Sequence, residues 1–221
     1  MYCAQAAVSY NNGVAGWQSK LFKTLLFDFG NVIVPIDFSR CHAALSGVCP
    51  YPPKEIPRRI RTTGLVERFE KGEVSPEYFV QEVSQILDMK VSYQQFWEIW
   101  STIFLPDTLL PEDLLERLRR QYRLLLLSNT NAMHFEMVRE RYPLLRHFDG
   151  YVLSYQVGAL KPSPDIYREA IARAGCRPEE CFFTDDVAAN AEAARQAGMD
   201  AVQFENREQL EQELQARGVV W

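Results

Sequence analysis

The chain has 221 residues, of which 47% are apolar and 24% charged, with a formal net charge of −5; that balance suits a globular protein with one sizeable core and room for an inserted module. The acidic excess and the lack of any Lys/Arg block argue against nucleic acid or an anionic membrane as partner, and no apolar run reaches the length of a membrane span. An anionic small molecule stays open, because a bound metal reverses the sign of a local field.

Residues 1–21 lack the basic start and long apolar stretch of a secretory signal and are expected to be a flexible leader. The five cysteines (Cys3, Cys41, Cys49, Cys176 and Cys181) are odd in number and lack metal-ligand spacing, so they read as reduced thiols of a cytoplasmic protein. Residues 23–29 form an apolar run that stops at Gly30-Asn31, the pattern of a buried strand and a turn. Between 38 and 105 no strand signal occurs. A helix is expected at 38–47, then a proline-rich entry at 50–57. Ser75-Pro76-Glu77 opens a helix over 76–88, and Ser92 with Gln95 has capping-box spacing before one over 93–104.

From residue 108 the pattern alternates. Pro111 opens a helix to about 121, and strands are expected at 123–129, 151–154, 181–186 and 201–204. Helices are expected at 132–141, 164–174, 188–197 and 206–217. Alternation of this kind predicts an α/β fold, a three-layer Rossmann-like parallel sheet with helices on both faces. Residues 22–36 and 106–221 would form its core, and 37–105 a small all-helical cap inserted where ligands of such sheets bind.

Chemistry-bearing residues sit where strands end: Asp28, Ser128-Asn129, Lys161 in the loop 158–164, and Asp185-Asp186. Each alone has a plainer explanation as a turn residue, a helix cap or a solvated loop charge, although adjacent carboxylates repel unless a cation or a proton relieves them. The ordered set is more specific: Asp-x-Gly-Asn-Val, apolar-Ser-Asn, Lys-Pro, then Phe-x-Asp-Asp-x-x-x-Asn-x-x-Ala-Ala-x-x-x-Gly at 183–198. In that order and spacing, residues 22–205 resemble the haloacid dehalogenase (HAD) superfamily. Residues 27–40 are most similar to its branch of bacterial α-D-glucose-1-phosphate phosphatases, with the phosphatase domain of soluble epoxide hydrolase more distant.

The resemblance implies a Mg²⁺-dependent phosphatase acting on a small phosphorylated metabolite such as a sugar phosphate, as monomer or homodimer. A phosphate dianion repels an attacking carboxylate, so such a site needs positive charge and fixed alignment. Asp28 would be the nucleophile, forming an aspartyl-phosphate. Lys161 would neutralise phosphoryl oxygens and the crowded carboxylates, and the Ser128 hydroxyl and Asn129 N–H would hold the phosphate. Asp28, Asp186, the Gly30 carbonyl and Asp185, directly or through water, would hold the Mg²⁺. In residues 60–73 of the cap, Arg61 and Glu67 are candidates for substrate contacts, while a solvated helix face is the plainer reading of each. Trp97 and Trp100 read as cap core.

One position departs from the pattern. Most phosphatases of the superfamily carry an acid–base Asp two residues after the nucleophile, where this chain has Gly30. General acid–base help is typically worth ~10²–10⁴ in rate. Three readings stand: an acidic leaving group, a proton carried by a cap residue or water, or weak turnover in a protein that binds or regulates. Asp37 is near in sequence, with no placement in space. A metal-independent haloacid dehalogenase is the remaining alternative, though it has no need of the Asp185-Asp186 pair.

Overall fold

The structure, a computed structural model, describes residues 22–221; the expected leader and Cys3 lie outside them. Five strands form one parallel sheet: β1 (Thr24–Phe27), β2 (Arg123–Ser128), β3 (Gly150–Leu153), β4 (Cys181–Asp185) and β5 (Asp200–Gln203), in the order β3-β2-β1-β4-β5. Helices line both faces, so the inner strands are apolar throughout rather than alternating. Leu25, Phe27, Leu124, Leu126 and Phe182 point to one face; Leu26, Leu125, Leu127 and Phe183 point to the other.

Between β1 and β2 come five helices of the insertion, α1 (Phe38–Ser46), α2 (Ile56–Arg61), α3 (Leu65–Glu70), α4 (Pro76–Ile86) and α5 (Tyr93–Trp100), and then α6 (Glu112–Arg119). After β2 follow α7 (Ala132–Arg141), α8 (Ser154–Val157), α9 (Pro164–Ala174), α10 (Ala188–Gln196) and α11 (Arg207–Ala216). Buried residues of α6, α7 and α11 pack on the first face, those of α9 and α10 on the second. The result is the three-layer parallel sheet expected from the alternation.

Chain direction across the sheet reverses at β1: β2 and β3 build one way, β4 and β5 the other. Such a reversal opens a crevice at the carboxyl ends of the central strands, and the insertion leaves and re-enters the sheet beside it. Two connecting segments are tied together by Leu105 N–H to Pro35 carbonyl (3.1 Å) and Asp37 N–H to Ile103 carbonyl (2.8 Å). The core of the insertion is aromatic. Phe69 stacks on Phe79 at 4.2 Å, and Trp100 stacks on Phe96 at 5.6 Å and meets Phe79 edge-on at 5.0 Å, while Trp97 packs against this cluster half-buried. Among the described residues no helix is long and apolar enough to cross a membrane.

Candidate active site

The first residue past β1 is Asp28. Its N–H donates to the Thr184 carbonyl at 2.9 Å, extending the β1–β4 ladder by one bond, and its Oδ1 accepts from the Phe29 N–H at 2.7 Å. Lys161 reaches it from the segment between β3 and α9. Asn129, just past β2, holds that segment through both ends of its amide: Oδ1 accepts from the Lys161 N–H at 2.8 Å and Nδ2 donates to the Lys161 carbonyl at 3.0 Å. The buried Lys161 ammonium has an acceptor for each of its protons: Leu127 carbonyl at 2.9 Å, Asp28 Oδ1 at 2.8 Å and Asp185 Oδ2 at 2.6 Å. Asp185 also accepts from the Val187 N–H at 2.9 Å and from Asn190 Nδ2 at 3.0 and 3.1 Å. Asp186, half-buried, accepts from Asn31 Nδ2 at 3.1 Å.

Asp28, Asp185 and Asp186 each present an oxygen within 4.8 Å of the others. Burial pushes the Asp28 carboxyl up to about 6, against the pull of Lys161 and with Asp185 adding to it. Burial also lifts Asp186, opposed by the Asn31 hydrogen bond. For Lys161, burial acts downward, but Asp28 and Asp185 together reverse it and hold the ammonium above its usual value. Three carboxylates against one ammonium leave a negative excess that a small, hard divalent cation would satisfy. The donors are all oxygens, and the Gly30 carbonyl accepts no hydrogen bond among the described residues. The residues therefore fit a Mg²⁺ ion. Both Asp185 oxygens already accept two hydrogen bonds each, which leaves Asp28, Asp186 and the Gly30 carbonyl as the freer donors.

The family profile of the haloacid dehalogenase-like hydrolases matches residues 22–198. The chain belongs to this family. Its sequence is 30% identical over 200 residues to D-ribitol-5-phosphate phosphatase of Bacteroides thetaiotaomicron, covering 88% of this chain and 97% of that protein. Its fold is similar to a HAD family enzyme of the same organism solved with magnesium and inorganic phosphate, with a TM-score of 0.76, 29% identity and coverage of 84% of this chain and 95% of that one. A HAD-like hydrolase from Porphyromonas gingivalis aligns with a TM-score of 0.77 and 27% identity, covering 91% and 100% of the two chains.

In this HAD-like hydrolase a pocket of about 220 Å³ lies over the strand ends. Asp28, Gly30, Ser128, Asn129, Lys161 and Asp186 line it from below, and Phe38, Glu70, Ile103 and Phe104 from the insertion side. The expected residues are thus brought to one place, with Asp185 fully buried beneath. A second cavity of about 430 Å³ lies within the insertion and shares Phe38, Glu70, Ile103 and His134 with the first. Arg61 and Glu67 line the second cavity alone, and Glu67 is exposed and pairs with Lys71 at 2.7 Å. Asp37 is the N-cap of α1, accepting from the N–H and hydroxyl of Ser39 at 2.9 and 2.6 Å. The space at residue 30 is also taken: a Cβ there would stand 2.5 Å from Ile36 Cδ1. The sequence reading missed Glu70, although it closes the turn that Glu67 opens and follows a buried Phe69.

Proposed function

We propose that this hydrolase is a Mg²⁺-dependent phosphatase acting on a small phosphorylated metabolite of polyol- or sugar-phosphate size. The observation that carries the reading is Lys161 seated between Asp28 and Asp185, with three carboxylates within 4.8 Å of one another at the floor of a pocket that the insertion overhangs, Asp185 buried beneath the other two. The phosphatase relative and the relative solved with magnesium and phosphate support it. Mg²⁺ held by Asp28, Asp186 and the Gly30 carbonyl, with Asp185 acting through water, would supply positive charge against the phosphoryl dianion.

Asp28 attacks phosphorus and carries the phosphoryl group as an aspartyl-phosphate, which water then cleaves. Lys161 keeps the Asp28 carboxylate oriented and neutralises charge at the attacking end. The Ser128 hydroxyl and the Asn129 N–H hold phosphoryl oxygens, while the Asn129 amide fixes the Lys161 backbone. The helical insertion, residues 37–105, serves as a cap that excludes bulk water and receives the leaving group. The four described cysteines are free, which accords with a reducing, cytoplasmic setting.

The test is turnover of 4-nitrophenyl phosphate and a panel of phosphorylated sugars and polyols, with Mg²⁺ or EDTA, by wild type and Asp28→Asn. Turnover that needs both Mg²⁺ and Asp28 is the expected outcome. Hydrolysis indifferent to Asp28→Asn would end the proposal, and chelator-resistant halide release from a 2-haloacid would put the metal-free dehalogenase in its place.

A further inference from the structure

We propose that Glu70, on the last turn of α3, is the proton donor to the leaving group, filling from the cap the role that Gly30 cannot play. This rests on the phosphatase reading and deepens it. A substrate with its phosphoryl group among Asp28, Ser128 and Lys161, and its remainder in the larger cavity, must thread its ester oxygen between the two. Glu70 is on the wall of both cavities. Its carboxyl makes no hydrogen bond or ion pair with any described residue, so it is free to meet a ligand.

The other titratable groups nearby are committed or placed elsewhere. His134 lines both cavities, but its Nε2 donates to the Trp100 carbonyl at 3.0 Å and its Nδ1 accepts from Asn131 Nδ2 at 3.1 Å. That tautomer has no spare proton, and burial lowers the ring to about 4. Asp37 lines neither cavity, and its bonds to Ser39 hold it below the usual carboxylate range. His42 and Arg61 face only the larger cavity.

Two features hold Glu70 in place. Phe69 anchors α3 in the aromatic core by its stack on Phe79. Gly72, with φ +69°, brings the chain so close to α8 that a Cβ there would lie 2.1 Å from the Tyr155 carbonyl oxygen. The groups facing Glu70 are Cys41 and His42 of α1, Arg61 of α2, Glu67 of its own helix, His134 of α7, and Asp28, Lys161 and Asp186 across the smaller pocket. Burial, with a smaller push from Glu67, raises Glu70 to about 7. A proton donor is most effective when its pKa lies near the working pH.

The step balances. As the bond from Asp28 to phosphorus forms, the bond from phosphorus to the ester oxygen breaks. That oxygen keeps the electron pair and takes the Glu70 proton, leaving as an alcohol. In the second half the Glu70 carboxylate takes a proton from the attacking water; the hydroxyl joins phosphorus, Asp28 departs as carboxylate, and Glu70 is again protonated.

Glu70→Gln separates this role from binding. Against the alkyl phosphate that wild type turns over fastest, kcat/KM should fall by ~10²–10⁴, whereas 4-nitrophenyl phosphate, whose phenolate leaves without a proton, should lose less than about threefold. Retained kcat/KM for the aryl ester, which ends at phosphoryl transfer to Asp28 and so does not include the second half, also shows that the variant folds. The fall in wild-type kcat/KM for the alkyl ester above pH about 7 should be absent from the variant. Equal losses on both esters, an unchanged pH profile, or a wild type that cleaves the aryl ester and no alkyl ester would each overturn the role while leaving the phosphatase reading intact. No Asp28-dependent turnover of either ester would instead overturn that reading itself.

Discussion

The rim of the sheet and the cavity of the insertion are built to different standards of constraint. At the rim the charged groups and the Asn129 amide have their partners: the Lys161 protons have three acceptors, the Asp185 oxygens four donor contacts, and the Asn129 amide is used at both ends. A few residues away the cavity wall carries Glu70 unpaired, and Arg61 and Glu67 exposed. Dense networks in a buried setting fix geometry to fractions of an ångström; sparse walls leave room for partners that vary. On the proposed function, the part of the reaction common to all phosphate esters would lie in the first region and the part that differs between substrates in the second. Perturbations should therefore weaken with distance from β1.

The sharpest break in that gradient is Lys161→Met. It strands Asp28 and Asp185 in a buried site with no counter-charge and leaves the Leu127 carbonyl without its donor. Removing one partner of a buried ion pair costs ~3–5 kcal/mol, which for a chain of this size lowers the melting temperature by on the order of 10 °C. Activity should vanish with it. Denaturant titration measures the loss; a change below about 1 kcal/mol would mean that the rim is far less tightly wired than its contacts indicate.

The same contrast decides what was legible beforehand. The rim could be read because strands buried on both faces give unbroken apolar runs, and a polar residue ending such a run stands out: Asp28 after LLF, Ser128 after LLLL, Asp185 after FFT. Their convergence followed from parallel strands sharing one carboxyl edge. The position of β1 at the centre was not legible, since nothing in an apolar run names its neighbours. In the insertion, α2 and α3 hid in a proline-rich entry and a Thr-Thr-Gly break, because each is about one and a half turns long and shows too little periodicity. Glu70 resembled any solvated charge beside a lysine. Its environment comes from α1, α2, α5 and α7 together, which no local pattern encodes.

The seam between the regions should respond at intermediate size, through His134. It is buried on α7, stacks on Trp100 at 5.5 Å and donates to the Trp100 carbonyl. Its value of about 4 in the fold lies below the ~6.5 of an unfolded histidine, so the unfolded chain takes up the proton first. The contribution is fully present above pH ~6.5 and is lost as pH falls toward 4. Between pH 7 and 5 the wild type should lose about 2 kcal/mol more stability than His134→Gln. Asp28 and Glu70, raised in the fold, shift stability the opposite way, but they act equally in both proteins and cancel in the difference. Parallel pH slopes would show that His134 is not held neutral at the seam.

The smallest effect belongs to Glu67, the carboxylate of the insertion that the sequence singled out. It lies one turn before Glu70 and borders only the larger cavity. Its ion pair with Lys71 is on the surface, where the order of two long side chains offsets most of the Coulomb attraction and salt screens the rest. Glu67→Gln should leave the unfolding midpoint unchanged and alter KM by no more than about twofold, in line with the small worth of exposed pairs. It does bear on Glu70, whose raised pKa owes a minor part to the Glu67 charge. Removing that charge should move the basic limb of the alkyl-ester pH profile slightly downward while leaving its plateau in place. A loss of plateau rate comparable to that of Glu70→Gln would place the constrained part of the insertion one helical turn nearer its outer surface.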